Sequence, residues 1–451
     1  AAQRRGRRRG PRRPRGRARV TTRRRRRPRL RARDAARARE SERGGRRRDG
    51  RRAAPRDPGR REPNVAAPSR IAWSNLVCDA DPAGGSRAGM IGQGYYDTLE
   101  RLCRDAGVAT VPAVVDCAFS NLPGGLSLFY SSASRWANFR EFLRVWRGAA
   151  TLDAALAAGG GEDGTWGAWC ERRGVDARTD ACAAALEAQL SWVLSATPAA
   201  VAATPAAPIL AYARGLRLSL RTCLAGSDRD VVRVSPSVEA LQRALARGCR
   251  LSLGVAATVQ PGNVVEGERF DAVVVAVPPG CARATLWEGV ASEELLRVLD
   301  DFETETHELC IHRDASFMPS DRKDWRSLNV VCGDDGAACE LTVWLNAYYP
   351  EHDFEGDAFQ TWNPRKPAKM LLSEALHLPR VVQRPDQASR HAAIEAAQGE
   401  NGVYFAGAHC VGGMGLLEQA CASGEGVAQR VLADLEVLRA PRGVRGGPGK
   451  A

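Results

Sequence analysis

Near the end of the chain, Tyr404-Phe405-Ala406-Gly407 closes a short apolar run. Gly412, Gly413 and Gly415 follow before a helical pattern opens near Leu416 or Leu417. Glycines let a ligand reach the main chain without a Cβ clash, and a helix start carries unpaired N–H groups and the positive end of the dipole. Such a strand, turn and helix gather several donors at one point, a device for holding an anion or stabilising developing negative charge. The same glycines also suit a plain tight turn, and the pattern alone leaves both readings open. Upstream, His312 and Asp314 lie two residues apart on one face of a predicted strand. They read either as an acid/base pair or as a strand histidine beside a turn-capping aspartate. Ser316 and Pro319 just beyond favour the cap. His409 reads either as a histidine approaching a ligand at the loop or as a loop histidine facing solvent, and a loop position favours the second.

These groups need elements to position them. "YYDTLERLCRDAG" places Tyr96, Leu99, Leu102 and Cys103 on one helical face. From Trp136 to about Leu220 the pattern is mostly helical, with "RWANFREFLRVWRGA", "TWGAWCERRG" and "DACAAALEAQLSWVLSA". "CRLSLGVAATVQPG" then alternates like a strand and its turn, and "ERFDAVVVAVPPG" reads as a buried strand of a parallel sheet. "ELCIHRD", "SLNVVC" and "ELTVWLNAYY" are further strand candidates. Trp325, Trp344 and Tyr348 read as core aromatics or as an apolar wall. "QASRHAAIEAAQG" predicts a helix, "GVYFAGA" a strand, and "GLLEQACASGEGVAQRVLADL" the closing helix. The layout is α/β, interrupted by a helical insertion and an antiparallel patch.

The net charge of +14 is uneven. Residues 1–62 hold 29 Arg against 6 acidic residues, which leaves 37 basic against 46 acidic residues in the remainder. An acidic globular body with a basic appendage is the result, not a basic protein. The appendage has almost no large apolar residues and predicts disorder. It would bind nucleic acid or anionic lipid by counterion release, serve as a targeting segment, or be an inert tail or a misassigned gene start. Thirteen Cys, with no CxxC pair, exclude a dense disulfide scaffold and point to no metal site. No apolar run approaches the roughly 18 residues of a membrane span. A soluble, intracellular protein is expected, with cytoplasm and organelle left open.

The stretch from Tyr404 to Gly424 resembles the C-terminal flavin-binding motif of the FAD-dependent amine oxidase superfamily, in which a "YFAG" strand leads through glycines into "E-x-x-x-x-S-G", here Glu418 to Ser423-Gly424. "ERFDAVVVAVPP", "IHRDASFMPSDRKDWRSLN" and "FQTWNP" are similar to one subgroup, the predicted NAD/FAD-binding proteins associated with cyclopropane-fatty-acid synthesis. The resemblance covers roughly Gly89 to Leu435. Such proteins open with a strand, GxGxxG and a helix, and no stretch here matches that unit. "GMIGQG" has the wrong spacing and follows no strand. The expectation is that the Arg-rich leader stands in its place, through a misassigned gene start or through loss of the diphosphate and ribose site.

The resemblance implies FAD as cofactor, with Gly407 and Ala408 lining the ribityl and pyrophosphate approach. It implies that the amides of Leu416 and Leu417, beyond Gly415, face the pyrimidine end of the isoalloxazine. Glu418 falls in the same motif and reads as a first-turn residue complementing the helix dipole. Val255 matches the strand position whose main chain meets adenine, or is a plain sheet residue. No catalytic residue and no metal ligand is assigned.

The resulting plan is an incomplete FAD/NAD(P)-binding Rossmann-like domain with an inserted α+β substrate domain. Its parts are a disordered segment (1–66), a partial FAD-binding region (67–130), the helical part of the substrate domain (131–230), a second FAD-binding region (231–300), the antiparallel-sheet part (301–390), the C-terminal FAD-binding strand and helix (391–438) and a disordered tail (439–451). The implied activity is an FAD-dependent oxidoreductase passing hydride from an amine or lipid-like small molecule to flavin N5. The alternative is a non-catalytic or truncated remnant whose basic tail binds nucleic acid.

Overall fold

Chain order begins with strand β1 (Met90–Gly92), helix α1 (Asp97–Asp105) and strands β2 (Ala109–Pro112), β3 (Cys117–Leu122) and β4 (Leu126–Tyr130). Helices α2 (Trp166–Arg173), α3 (Ala181–Leu194), α4 (Pro198–Ala203) and α5 (Ala206–Gly215) follow. Next come β5 (Val231–Ser235), a small meander of β6 (Val259–Gln260), β7 (Val264–Val265) and β8 (Glu268–Arg269), then β9 (Val273–Val275) and α6 (Glu293–Asp300). The last part holds β10 (Thr304–His312), β11 (Leu328–Val331), β12 (Glu340–Trp344), β13 (Phe359–Trp362), β14 (Leu376–Val381), α7 (Gln387–Ala396), β15 (Val403–Phe405) and α8 (Leu417–Arg439). This computed structural model describes residues 90–92, 94–122, 126–130, 154–158, 163–177, 181–215, 231–333 and 336–439, all in one unit, Val65–Ala451. The Arg-rich segment, the "RWANFREFLRVWRGA" stretch and the tail from Ala440 lie outside them.

Local chemistry accounts for most boundaries. Thr165, Thr197 and Ser292 each accept a first-turn amide at the N-termini of α2, α4 and α6. Helix α3 is apolar around most of its circumference, interrupted by the half-buried Glu187 and Gln189, so it is largely buried; Ala184, Ala188 and Leu190 are sealed in the core. Helix α1 follows the predicted face, burying Tyr96, Leu99 and Cys103.

The strands sort into two principal layers. The Val-rich run and the final apolar run pair in parallel, Val273 with Val403 and Val275 with Phe405. The Val-rich strand is buried on one face only, since Val274 is exposed, which corrects the expectation of a strand buried throughout. Around this pair Leu295, Leu296 and Leu299 of α6 and Ile394 of α7 form one core, each buried leucine contributing about 2 kcal/mol from water exclusion. A seven-stranded sheet of order β14-β10-β13-β12-β11-β3-β4 forms the second layer, antiparallel except where β3 lies parallel to β11. Leu328, Val330, Leu341 and Val343 of that sheet pack in a larger core with Trp169, Leu190 and Ile209 from α2, α3 and α5.

Two sequence expectations need correction. The Leu251, Leu253, Val255 alternation forms no strand: the three side chains are 62%, 85% and 51% exposed, and only Val259–Gln260 is extended and paired. Alternation stabilises a strand only against cross-strand neighbours, and among the described residues none runs beside this stretch. The "ELTVWLNAYY" strand also stops at Trp344, where the chain turns into a short helix, Leu345–Tyr348.

Candidate functional site

Strand β15 delivers the chain to Gly407 at φ +146°, then through Gly413 (φ +142°) and Gly415 (φ +67°) into α8. Its outer edge is closed by one side chain. Phe405 donates its N–H to Gln398 Oε1 at 2.8 Å, and Gln398 Nε2 donates to the Phe405 carbonyl at 2.7 Å. That amide stands in for a neighbouring strand, while the Ala406 N–H donates to the Val275 carbonyl on the β9 side.

The glycines make room for this chain's own groups. A Cβ on Gly407 would fall 2.7 Å from the His409 ring, one on Gly413 2.6 Å from Gln419, and one on Gly415 2.7 Å from Gln383. Two loop amides are satisfied internally as well. Gly407 N–H donates to Ser423 Oγ at 3.1 Å, and Leu416 N–H to Gln419 Oε1 at 3.0 Å. Gln419 is the third residue of α8 and reaches back to the residue before it, half of a capping box. Its Nε2 donates to Tyr95 Oη at 3.1 Å. Among the described residues, the Leu417 and Glu418 amides at the start of this 23-residue helix have no partner.

Glu418 faces another way. Its two carboxylate oxygens accept the amides of Thr98 and Leu99 at 2.9 and 3.0 Å, capping α1, which has no capping side chain of its own. Val255 lies in the exposed irregular stretch. Thus Gly407, Ala408, Gly415, Leu416, Leu417 and Glu418 share one strand–loop–helix unit, and Val255 stands outside it.

The histidines separate clearly. His312 is fully buried; its Nδ1 accepts the Asp314 N–H at 3.1 Å, so Nε2 carries the hydrogen and donates to Thr361 Oγ1 at 2.8 Å. Thr361 continues to Thr342 Oγ1 at 2.9 Å. Burial pushes this imidazole down to about 4 against the opposing pull of Asp314. Asp314 caps the turn, accepting the Ser316 and Lys369 amides. Burial raises its carboxyl, but these hydrogen bonds outweigh that and hold it at about 2. The pair is a structural clamp.

His409 corrects the solvent-facing expectation. Its ring meets Phe302 edge-on, with centroids 5.6 Å apart, and burial holds it near 4, helped by His391. Trp325 and Trp344 meet at 88° beneath the Arg322 guanidinium, while Tyr348 belongs to the core. Gln398 and Gln419 were missed by the sequence reading, and Ser423 was placed in the motif without a role. Only Gln419 carried a local signal, a glutamine three residues past a helix start.

For the FAD implied by the resemblance, the fit divides. The Leu417 and Glu418 amides, at the end of a long helix dipole and reached through Gly407, suit the electron-rich edge of a flavin ring. The Leu416 amide is already engaged, and the Val255 stretch supplies no strand for adenine. The fit therefore rests on the ring end.

No family profile matches the chain, and no curated protein matches it by sequence. Solved structures do share its fold. A CLA-producing fatty acid isomerase from P. acnes matches at TM-score 0.50 and 13% identity, over 76% of this chain and 85% of that one. Two putrescine oxidase variants from a structure-based redesign of cofactor binding match at TM-scores 0.51 and 0.52 with 12% and 11% identity, over 76% and 77% of this chain and 87% of each of theirs. Likeness at this level of identity is a likeness of fold, and the chain shares the α/β, Rossmann-like fold of these structures.

Proposed function

We propose that the chain is an FAD-dependent oxidoreductase of the amine oxidase type, acting on an amine or lipid-like small molecule. One observation carries this reading: two unpartnered main-chain amides, of Leu417 and Glu418, at the N-terminus of a helix entered from β15 through Gly407. FAD, when bound, supplies a two-electron acceptor. Leu417 and Glu418 would orient its pyrimidine edge and favour negative charge there, while Gly407 and Ala408 would line the approach. His409, kept neutral by burial, gives the loop an uncharged wall.

The test is reconstitution. The full chain is mixed with FAD, separated from free cofactor by gel filtration and inspected for flavin absorbance, then for bleaching by amines under anaerobic conditions. A colourless protein rejects this reading.

The engaged Leu416 amide and the exposed Val255 stretch favour a second reading, a non-catalytic form of the fold. It predicts a colourless protein whose Arg-rich segment shifts RNA in a salt-dependent way.

A further inference from the structure

Cys332 and Cys339 flank the turn between β11 and β12, with their sulfurs 3.3 Å apart and only 8% and 3% of the residues exposed. The hairpin register pairs Val331 with Glu340, so the next opposed pair is Cys332 with Cys339. Cys332 donates its N–H to the Ser120 carbonyl on β3, and Cys339 donates its N–H to Ser191 Oγ on α3. Neither amide is spent on the other residue. They form a non-hydrogen-bonded pair, the position where antiparallel chains come closest, with Cα atoms about 4.5 Å apart. That separation lies within the range a disulfide spans.

A fixed cation stands beside the pair. A Cβ on Gly333 would meet the Arg365 guanidinium, so that side chain lies against the backbone immediately after Cys332. The Arg365 N–H donates to Glu340 Oε2 at 2.7 Å, anchoring this segment to the residue after Cys339. A neighbouring guanidinium favours the thiolate, the nucleophilic form. The hydrogen bond between the two sulfurs, with the Arg365 guanidinium, lowers Cys339, whereas that bond and burial push Cys332 up. Of the two, Cys339 is the sulfur favoured as thiolate, and Cys332 the one that keeps its proton.

The geometry points to a reversible dithiol–disulfide site at Cys332 and Cys339, oxidised by small hydroperoxides. The Cys339 thiolate attacks one peroxide oxygen, the O–O bond breaks, and the departing oxygen takes a proton to leave as water (or as an alcohol from an organic hydroperoxide). Cys332 sulfur then attacks the Cys339 sulfenic acid, the S–O bond breaks, and a second molecule leaves as water carrying the Cys332 proton. Two thiols lose two electrons and two protons; the peroxide gains both. The site lies on the seven-stranded sheet and stands independently of any flavin at the glycine loop.

The experiment treats the reduced full chain with hydrogen peroxide at neutral pH and maps the thiols. Trypsin releases both cysteines in one peptide, Ser327–Arg365, since no Lys or Arg intervenes. The expected product is that peptide lighter by two hydrogens, whose halves stay joined after cleavage before Asp334 or Asp335 until a reductant is added. Cys332→Ser should leave a Cys339 sulfenic acid that dimedone traps, and Cys339→Ser should abolish fast oxidation. Arg365→Gln should slow alkylation of Cys339 at pH 7 by about threefold to tenfold, with Arg365→Lys recovering most of the rate. Cross-links at other cysteines, joining only after urea unfolding, or unchanged oxidation in folded Cys339→Ser would each overturn the assignment.

Discussion

Glu418, in the first turn of the last helix, accepts the Leu99 amide at 3.0 Å across 319 residues of sequence. Its other oxygen takes the Thr98 amide, so one carboxylate caps a helix that begins without a cap of its own. Arg101 pairs with Glu425, less than a turn beyond Leu99 on one helix and about two turns beyond Glu418 on the other, extending the same weld. The motif's acidic residue therefore joins the two ends of the fold.

From this, Glu418→Ala should cost ~2 kcal/mol, because two charge-assisted bonds to helix-end amides are lost. Glu418→Gln keeps one acceptor and should lose about half as much. Urea titration of both variants checks the ordering. A Gln variant as stable as the parent would show that the charge contributes nothing.

Gln398 should matter as much as a core residue. Truncation to Ala leaves the Phe405 N–H and carbonyl bare at a buried strand, at a cost of ~2–3 kcal/mol. Hydrogen exchange at the Phe405 amide should accelerate in step with that loss, and unchanged protection would refute the edge-closing role.

Gly407→Ala meets two obstacles, a φ of +146° and the His409 ring 2.7 Å from the new methyl group. A loss of ~2–3 kcal/mol is expected from strain and overlap together. Removing the ring in Gly407→Ala/His409→Ala should recover only the steric part. Full recovery in the melting temperature would mean that the backbone conformation costs nothing.

Stability should fall in mild acid. A buried His312 with its pKa depressed to about 4 takes up its proton less readily than the unfolded chain, whose histidine titrates near about 6.5. Its contribution is thus present above about pH 6.5 and is lost as pH falls towards 4. His409 acts in the same direction. The contribution of His312 is on the order of 3 kcal/mol. Unfolding measured between pH 7 and 4 should show this slope, and His312→Gln should flatten it; an unaltered slope would exclude His312 as its source.

Leu417 offers a clean probe of the flavin reading. Proline is tolerated at the first helical position, where its missing N–H was unpaired anyway. Leu417→Pro should therefore keep the fold while weakening FAD by roughly tenfold, as expected for one lost charge-assisted donor. Leu417→Ala controls for lost packing. Equal FAD binding by both variants would remove this amide from the site.

Periodicity and punctuation in the sequence determined the ordinary elements. The "VYF" run forms a short buried strand and "VVV" a strand buried at its first and last residues. Leu99 and Cys103 face the core from a helix entered at Tyr96, and Asp314 before Ala-Ser-Phe caps the turn as its short acceptor side chain allows. Local residue types suffice there because the responsible forces act within one helical turn or one strand period. The Leu251–Val255 alternation misled for the opposite reason, since a strand exists only when a neighbour pairs with it. In the same way, nothing local ties Glu418 to Leu99, Gln398 to both groups of Phe405, or Cys332 to Cys339. Those contacts arise from chain segments meeting in space, and that meeting decided which glycine-loop amides are occupied and which remain open to a ligand.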